Sequence, residues 1–165
     1  MAGTPIQTLI IDDMVTRLKA MEPPTYSYKF DRVEKIKGNA LTVGDEKFAF
    51  VWSGPVSYDI AGTQAAITKL RRTMSFAVGF VLTATPTDAT DPLSTDRDEE
   101  ALLMFADIHK CLFAMDGVTI ANTVIAVFFD VDVKDLTEIE ENKIYGELHG
   151  RIQFRHNLGD ATTHS

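Results

Sequence analysis

The stretch Lys143–His156, KIYGELHGRIQFRH, decides the fold. Ile144, Gly146, Leu148, Gly150, Ile152 and Phe154 fall in one alternation class; Tyr145, Glu147, His149, Arg151, Gln153 and Arg155 fall in the other. A period of two sustained this long predicts an extended strand with one buried face and one wet face. Two glycines on the apolar face leave notches where a helix or another backbone can come close, or where the strand bends. A polar tail, residues 157–165, follows, so residues 1–156 read as a single domain whose last packed element is this strand.

Working outward, Met74, Phe76, Val78, Phe80 and Leu82 alternate with Ser75, Ala77, Gly79 and Val81. A heavily apolar face backed by small residues predicts a long strand in a sheet covered on both sides. Two helices accompany these strands. Thr4-Pro5-Ile6-Gln7 reads as a helix start, with Thr4 capping and Pro5 in the first helical position. Ile6, Leu9, Ile10, Met14, Leu18 and Met21 share its apolar face, and Pro23-Pro24 ends it. The second helix runs from a cap at Asp96 to a stop at Asp116-Gly117. Its stripe is Ala101, Leu102, Phe105, Ala106, Ile108, His109, Leu112 and Phe113.

The remaining segments carry weaker signals. Tyr26, Tyr28 and Phe30 alternate as a first strand reaching about Ile36, and Ala40–Val43 with Lys47–Trp52 suggests a hairpin. Residues 56–72 fit a short strand followed by a helical stretch, and Thr83–Thr95 reads as a surface connector. Val118–Val133 is β-type sequence, as two strands or one bent one, and acidic Leu136–Asn142 suits a short helical turn. The fold expected is α+β: a mostly antiparallel sheet with both helices on one face.

With 24 acidic and 16 basic residues the chain carries a net charge of −8. That balance argues against general binding to a phosphate backbone, which relies on clustered Lys and Arg. The densest basic run, Lys69–Arg72, reads first as a solvated strand or helix end. The single cysteine, Cys111, excludes an intramolecular disulfide and a cysteine zinc cage, and its place in a helical pattern suits a core residue. With no secretory pattern and no bilayer-length apolar run, the expectation is a reducing cytoplasm.

Candidate chemistry is sparse. Alternation puts Asp130 and Asp132 on one side of a strand with Asp135 nearby, but the glycine and closing glutamate of a calcium loop are missing. His149 and His156 fall in opposite alternation classes, and His109 and Cys111 stand two apart on a helix, so neither pair converges. No Gly-rich phosphate loop, nucleophile elbow or His-Glu-x-x-His motif occurs. No catalytic residue, cofactor or metal is expected. Aromatics in excess of one core layer (Tyr26, Tyr28, Tyr145, Phe128 and Phe129) suit contact surfaces.

The order of elements resembles a known family. An amphipathic helix (Pro5–Met21), a hairpin region, a long strand (Met74–Leu82), a second helix (Asp96–Met115) and a closing strand with GRIQFRHN at 150–157 resemble the tail-terminator proteins of long-tailed bacteriophages. The resemblance covers most of the chain and rests on element order rather than signature residues. The chain is somewhat long for the family, with the excess in Val56–Thr63 and Thr83–Thr95.

What the resemblance implies is assembly without covalent chemistry. Six copies would close into a ring through a head-to-tail contact. The ring would cap the tail tube protein and offer a surface to a head-completion or connector protein. DNA would slide through an acidic lumen without specific binding, and no membrane would be involved. The protein would belong to the virion tail, assembled in the host cytoplasm. Arg71, Arg72, Arg151 and Arg155, with the Thr83–Thr95 loop, are the candidate contact residues. Two rivals are another head–tail connector or neck protein, and a small metal-dependent hydrolase using Asp130, Asp132 and His149.

Overall fold

A computed structural model describes residues 5–35, 47–58, 69–83, 97–113, 118–120, 123–140 and 143–157. The elements follow as α1 (Ile6–Lys19), β1 (Arg32–Lys35), β2 (Lys47–Tyr58), β3 (Lys69–Thr83), α2 (Arg97–Phe113), β4 (Val118–Ile120), β5 (Thr123–Glu140) and β6 (Lys143–Asn157). The strands form one sheet in the order β1-β2-β3-β6-β5-β4. Only β1 and β2 run parallel; every other neighbouring pair is antiparallel. The closing strand β6 lies at the centre, paired to β3 from Lys69↔Asn157 to Thr83↔Lys143.

Alternation then assigns the faces. Met74, Phe76, Val78, Phe80 and Leu82 of β3 join Leu148, Ile152 and Phe154 of β6 and Ala49 and Val51 of β2 in one buried cluster with both helices. The helices therefore share one face of an α+β fold, as the apolar stripes predict. α1 touches β1 and β2 at one edge of the sheet and β4 at the other, while α2 lies against β6 and β5.

The glycine notches are filled by rings rather than by a second backbone. Three directly opposed register pairs join a phenylalanine to a glycine: Phe80↔Gly146, Phe76↔Gly150 and Phe50↔Gly79. Each ring lies over the glycine beside it, where a Cβ would collide with the ring carbons. At Gly146 the Phe105 ring of α2 also comes close, 3.0 Å from where that Cβ would stand, so helix approach accounts for part of this notch. Such cross-strand cover lets large rings lie flat without opening the sheet.

Several local expectations are corrected. Pro5, with ψ 138, stands just outside α1, and Ile6 is the first helical residue; Leu9 N–H donates to the Pro5 carbonyl at 3.1 Å. The capping role of Thr4 lies outside the described residues. Ile11 and Val15 are buried in α1, whereas Leu9 is only half-buried, because the contact face is broader than one stripe. No strand covers Tyr26–Phe30; β1 begins at Arg32. β2 continues to Tyr58 across a bulge at Gly54-Pro55, where two residues face one and proline has no ladder bond to lose. Lys69–Arg72 is strand, not helix, because it pairs with β6. Leu136–Glu140 is likewise strand, held by Leu136↔Gly146, Thr137↔Tyr145 and Glu138↔Ile144. The 40–43 arm of the hairpin, residues 84–95, Asp96, Asp116-Gly117 and residues 141–142 lie outside the described residues.

The stripe of α2 is rotated from its expected setting. Ala101, Met104, Phe105, Ile108, Cys111 and Leu112 are buried, but Ala106 and His109 are exposed and Leu102 is 58% exposed. Leu102→Asn should therefore change unfolding stability by less than about 0.5 kcal/mol. Met104→Ala should cost about 2–4 kcal/mol. Urea denaturation of the two variants checks the setting; equal losses would mean that the helix is turned as the sequence stripe suggests.

Candidate functional site

The face of the sheet turned away from the helices carries its own aromatic layer. Phe48, Phe50 and Trp52 stand on β2, over the small residues Ala77, Gly79 and Val81 of β3. The Phe50 ring stacks on Trp52 at 5.3 Å and on Tyr145 of β6 at 5.9 Å, and packs beside Phe48 at 5.7 Å. Arg32 lies 4.4 Å above the Phe48 ring, a cation–π contact that shields it from the β1 side. Glu147 accepts a hydrogen bond from the Tyr145 hydroxyl at 3.0 Å and meets Nε2 of His149, whose ring meets Trp52 edge-on. Phe48 and Phe50 are buried, and among the described residues neither helix packs on this face. Among the described residues, the rings of this half are covered by neighbours on the same face.

Along the same face the chemistry changes at Ser75, where β2 bulges and β6 presents the exposed Arg151 opposite. Beyond it come Thr73↔Gln153 and then Arg71↔Arg155. The structure thus brings three of the four candidate arginines to neighbouring positions on one face: Arg71, Arg151 and Arg155. Arg72, half-buried and opposite Phe154, belongs to the other alternation class. Sequence reading names these residues but not their adjacency, since Arg71 stands 80 and 84 positions before Arg151 and Arg155.

The residues of the hydrolase alternative are rearranged. A register break between Phe129 and Val131 takes Asp130 out of alternation with Asp132, because a bulge inserts an unpaired residue. Asp132 stands opposite His149 and Asp135 opposite Glu147. Among the described residues no group of three His, Cys, Asp or Glu side chains is placed to hold a metal ion. Nor is any helix among them long and apolar enough to cross a membrane.

The chain matches no protein-family model and no curated protein sequence. Among solved structures it is similar to the sheath/tube terminator of an extracellular contractile injection system (PVC) in its extended state, determined by cryo-EM. The TM-score is 0.45 at 10% identity; the alignment covers 100% of this chain, which spans 62% of that one. A likeness of this size assigns neither fold nor role to any residue.

Sequence reading missed the buried carboxylate on the helix side. Asp107 of α2 is 7% exposed and accepts hydrogen bonds from the backbone N–H groups of Ser27 (2.6 Å) and Tyr28 (3.1 Å). Lys110, one turn on, donates to the Thr25 carbonyl at 2.6 Å and lies over the Tyr26 ring. Together they pin residues 25–28 to α2 in place of a strand, and Tyr26 and Tyr28, both half-buried, pack against the core. Burial pushes the Cys111 thiol up, away from the reactive thiolate, in keeping with a core residue. The signal for Asp107 was its position: an acidic residue between Met104 and Ile108 on an otherwise apolar face.

Proposed function

We propose that this chain is a tail-terminator subunit, a non-enzymatic protein that closes into a ring, caps the head-proximal end of a tail tube and joins it to the head. The observation that carries the reading is the arrangement of the long elements. α1, β3, α2 and the closing β6 follow in the order on which the resemblance rests, and β3 and β6 are the paired centre of the sheet. Both helices gather on one face, and among the described residues no helix packs on the opposite face. The arginines at Arg71, Arg151 and Arg155, with Arg72 beside them, are the docking residues in this reading.

Its test is tube assembly. Purified tail tube protein polymerising in vitro should stop elongating when this chain is added at a few copies per tube end, with a ring visible at one end by electron microscopy. Native mass spectrometry should show a hexamer, or a monomer that becomes one on the tube. Tubes that grow to the same length with and without the protein would sink the proposal.

A further inference from the structure

The sheet has two outer edges, and each is interrupted in its own way. At one, β1 is four residues long, and its Lys35 is paired with Asp12 of α1. At the other, β4 is three residues long, lies against α1 and pairs only with Thr123–Ala126. From Val127 to Glu140 the outer side of β5 therefore has no strand partner among the described residues. A row of unpaired N–H and C=O groups is a template for strand addition from another chain. Here the row is broken three times. Register slips by one residue at Phe129/Val131, Val133/Asp135 and Glu138/Glu140, each time with the extra residue on β5. Asp130, Lys134 and Ile139 have no counterpart on β6.

We infer that these three extra residues guard the β5 edge, so that copies of this chain do not join by continuing the sheet. The guard acts alike in a ring subunit and in a free monomer. A bulge bends its strand and raises its twist, which puts successive backbone groups out of step with a straight incoming strand. Between the breaks the uninterrupted runs are Val131–Val133 and Asp135–Glu138, three and four residues. Strands are commonly about 5–6 residues long, and both runs fall short of that. Packing on the helix side does not require the extra residues. Phe128, Val131, Val133 and Leu136 stand opposite Ile152, Gly150, Leu148 and Gly146, all in the alternation class of β6 that faces the helices. With Asp130 and Lys134 removed, those four β5 residues would alternate strictly. With Ile139 also removed, the ladder would run unbroken to Lys143. What the extra residues change is therefore the outer edge.

Deletion tests this. Three variants are made: one lacking Asp130, one lacking Lys134, and one lacking Asp130, Lys134 and Ile139. Thermal melts identify those that fold, and self-association is followed by sedimentation and thioflavin fluorescence across a concentration series. The folded deletion variants should associate at a concentration about tenfold or more below the parent and bind thioflavin, since an unbroken edge offers a longer ladder. Hydrogen exchange on the parent chain supplies a second readout. Amides of residues 127–140 should gain no protection when copies associate or when the chain caps a tube. Folded deletion variants that associate no more strongly than the parent overturn the inference. So does failure of all three to fold, which would show that the extra residues serve packing. Protection of the 127–140 amides on association also overturns it, because the sheet then continues into a neighbour. Tube capping is read separately, and its absence in the parent chain leaves the deletion result unchanged.

Discussion

Gly146→Val should cost about 3 kcal/mol of unfolding stability, at the upper end of what overpacking does. A Cβ there would stand 2.3 Å from Phe80 Cζ and 3.0 Å from Phe105 Cζ. Neither ring has room to retreat. Phe80 is fully buried, and the two rings meet edge-to-face at 4.9 Å. Moving either displaces α2 from the centre of the sheet. Gly54→Ala, whose new Cβ meets only the Ser75 side chain at 3.1 Å and its backbone at the bulge, should cost far less. Urea denaturation of both variants gives the comparison. A second change, Phe80→Leu, should return part of the loss in the Gly146→Val background, because it removes the colliding ring. If Gly146→Val is as stable as the parent, Phe80 does not cover that notch.

Asp107→Leu should cost about 2–4 kcal/mol, for a different reason. The carboxylate accepts two backbone hydrogen bonds, and bonds to a charged acceptor are worth more than neutral ones, about 1.5–3 kcal/mol. Leucine fits the apolar surroundings but leaves the Ser27 and Tyr28 donors part-buried without an acceptor. Asp107→Asn keeps one carbonyl oxygen and should lose about half as much. Limited proteolysis adds a local readout: cleavage within residues 22–31 should accelerate in Asp107→Leu more than elsewhere in the chain. A variant with parental stability and an unchanged cleavage pattern would show that α2 does not hold this segment.

These two sites mark where sequence was informative and where it was not. β3 and β6 were legible because each keeps a strict period of two over many residues, and α1 because its apolar positions recur at helical spacing. The glycines were legible as notches, but their occupants depend on which strand lies alongside, and register is a property of the whole sheet. Tyr26, Tyr28 and Phe30 alternate like a strand. What overrides them is a carboxylate about 80 residues away, and no local pattern announces that. The error at α2 has the same origin: Leu102 and Leu103 widen the stripe, so periodicity cannot say which side meets the sheet, and Asp107 pulls the answer toward a polar residue. Leu136–Glu140 looks helical by composition, yet a long neighbour with open ladder positions recruits it as strand. At the candidate contact surface the arginines were readable as residues, while their gathering at one end of the sheet comes from pairing β3 with β6.

The central place of β6 sets an order on biosynthesis. β1, β2 and β3 leave the ribosome early, and α2, β4 and β5 follow, but the strand that joins the two groups is the last of the eight elements to emerge. Until then Phe76 and Phe80 have no glycine beside them, and β3 presents an open apolar edge to its surroundings. The nascent chain must hold two unjoined half-sheets apart, and a β5–β6 hairpin is the piece that can zip locally before it docks on β3. A chain that ends before residue 143 would leave that edge of β3 open, whereas one that includes residue 157 and has left the ribosome carries every strand of the sheet.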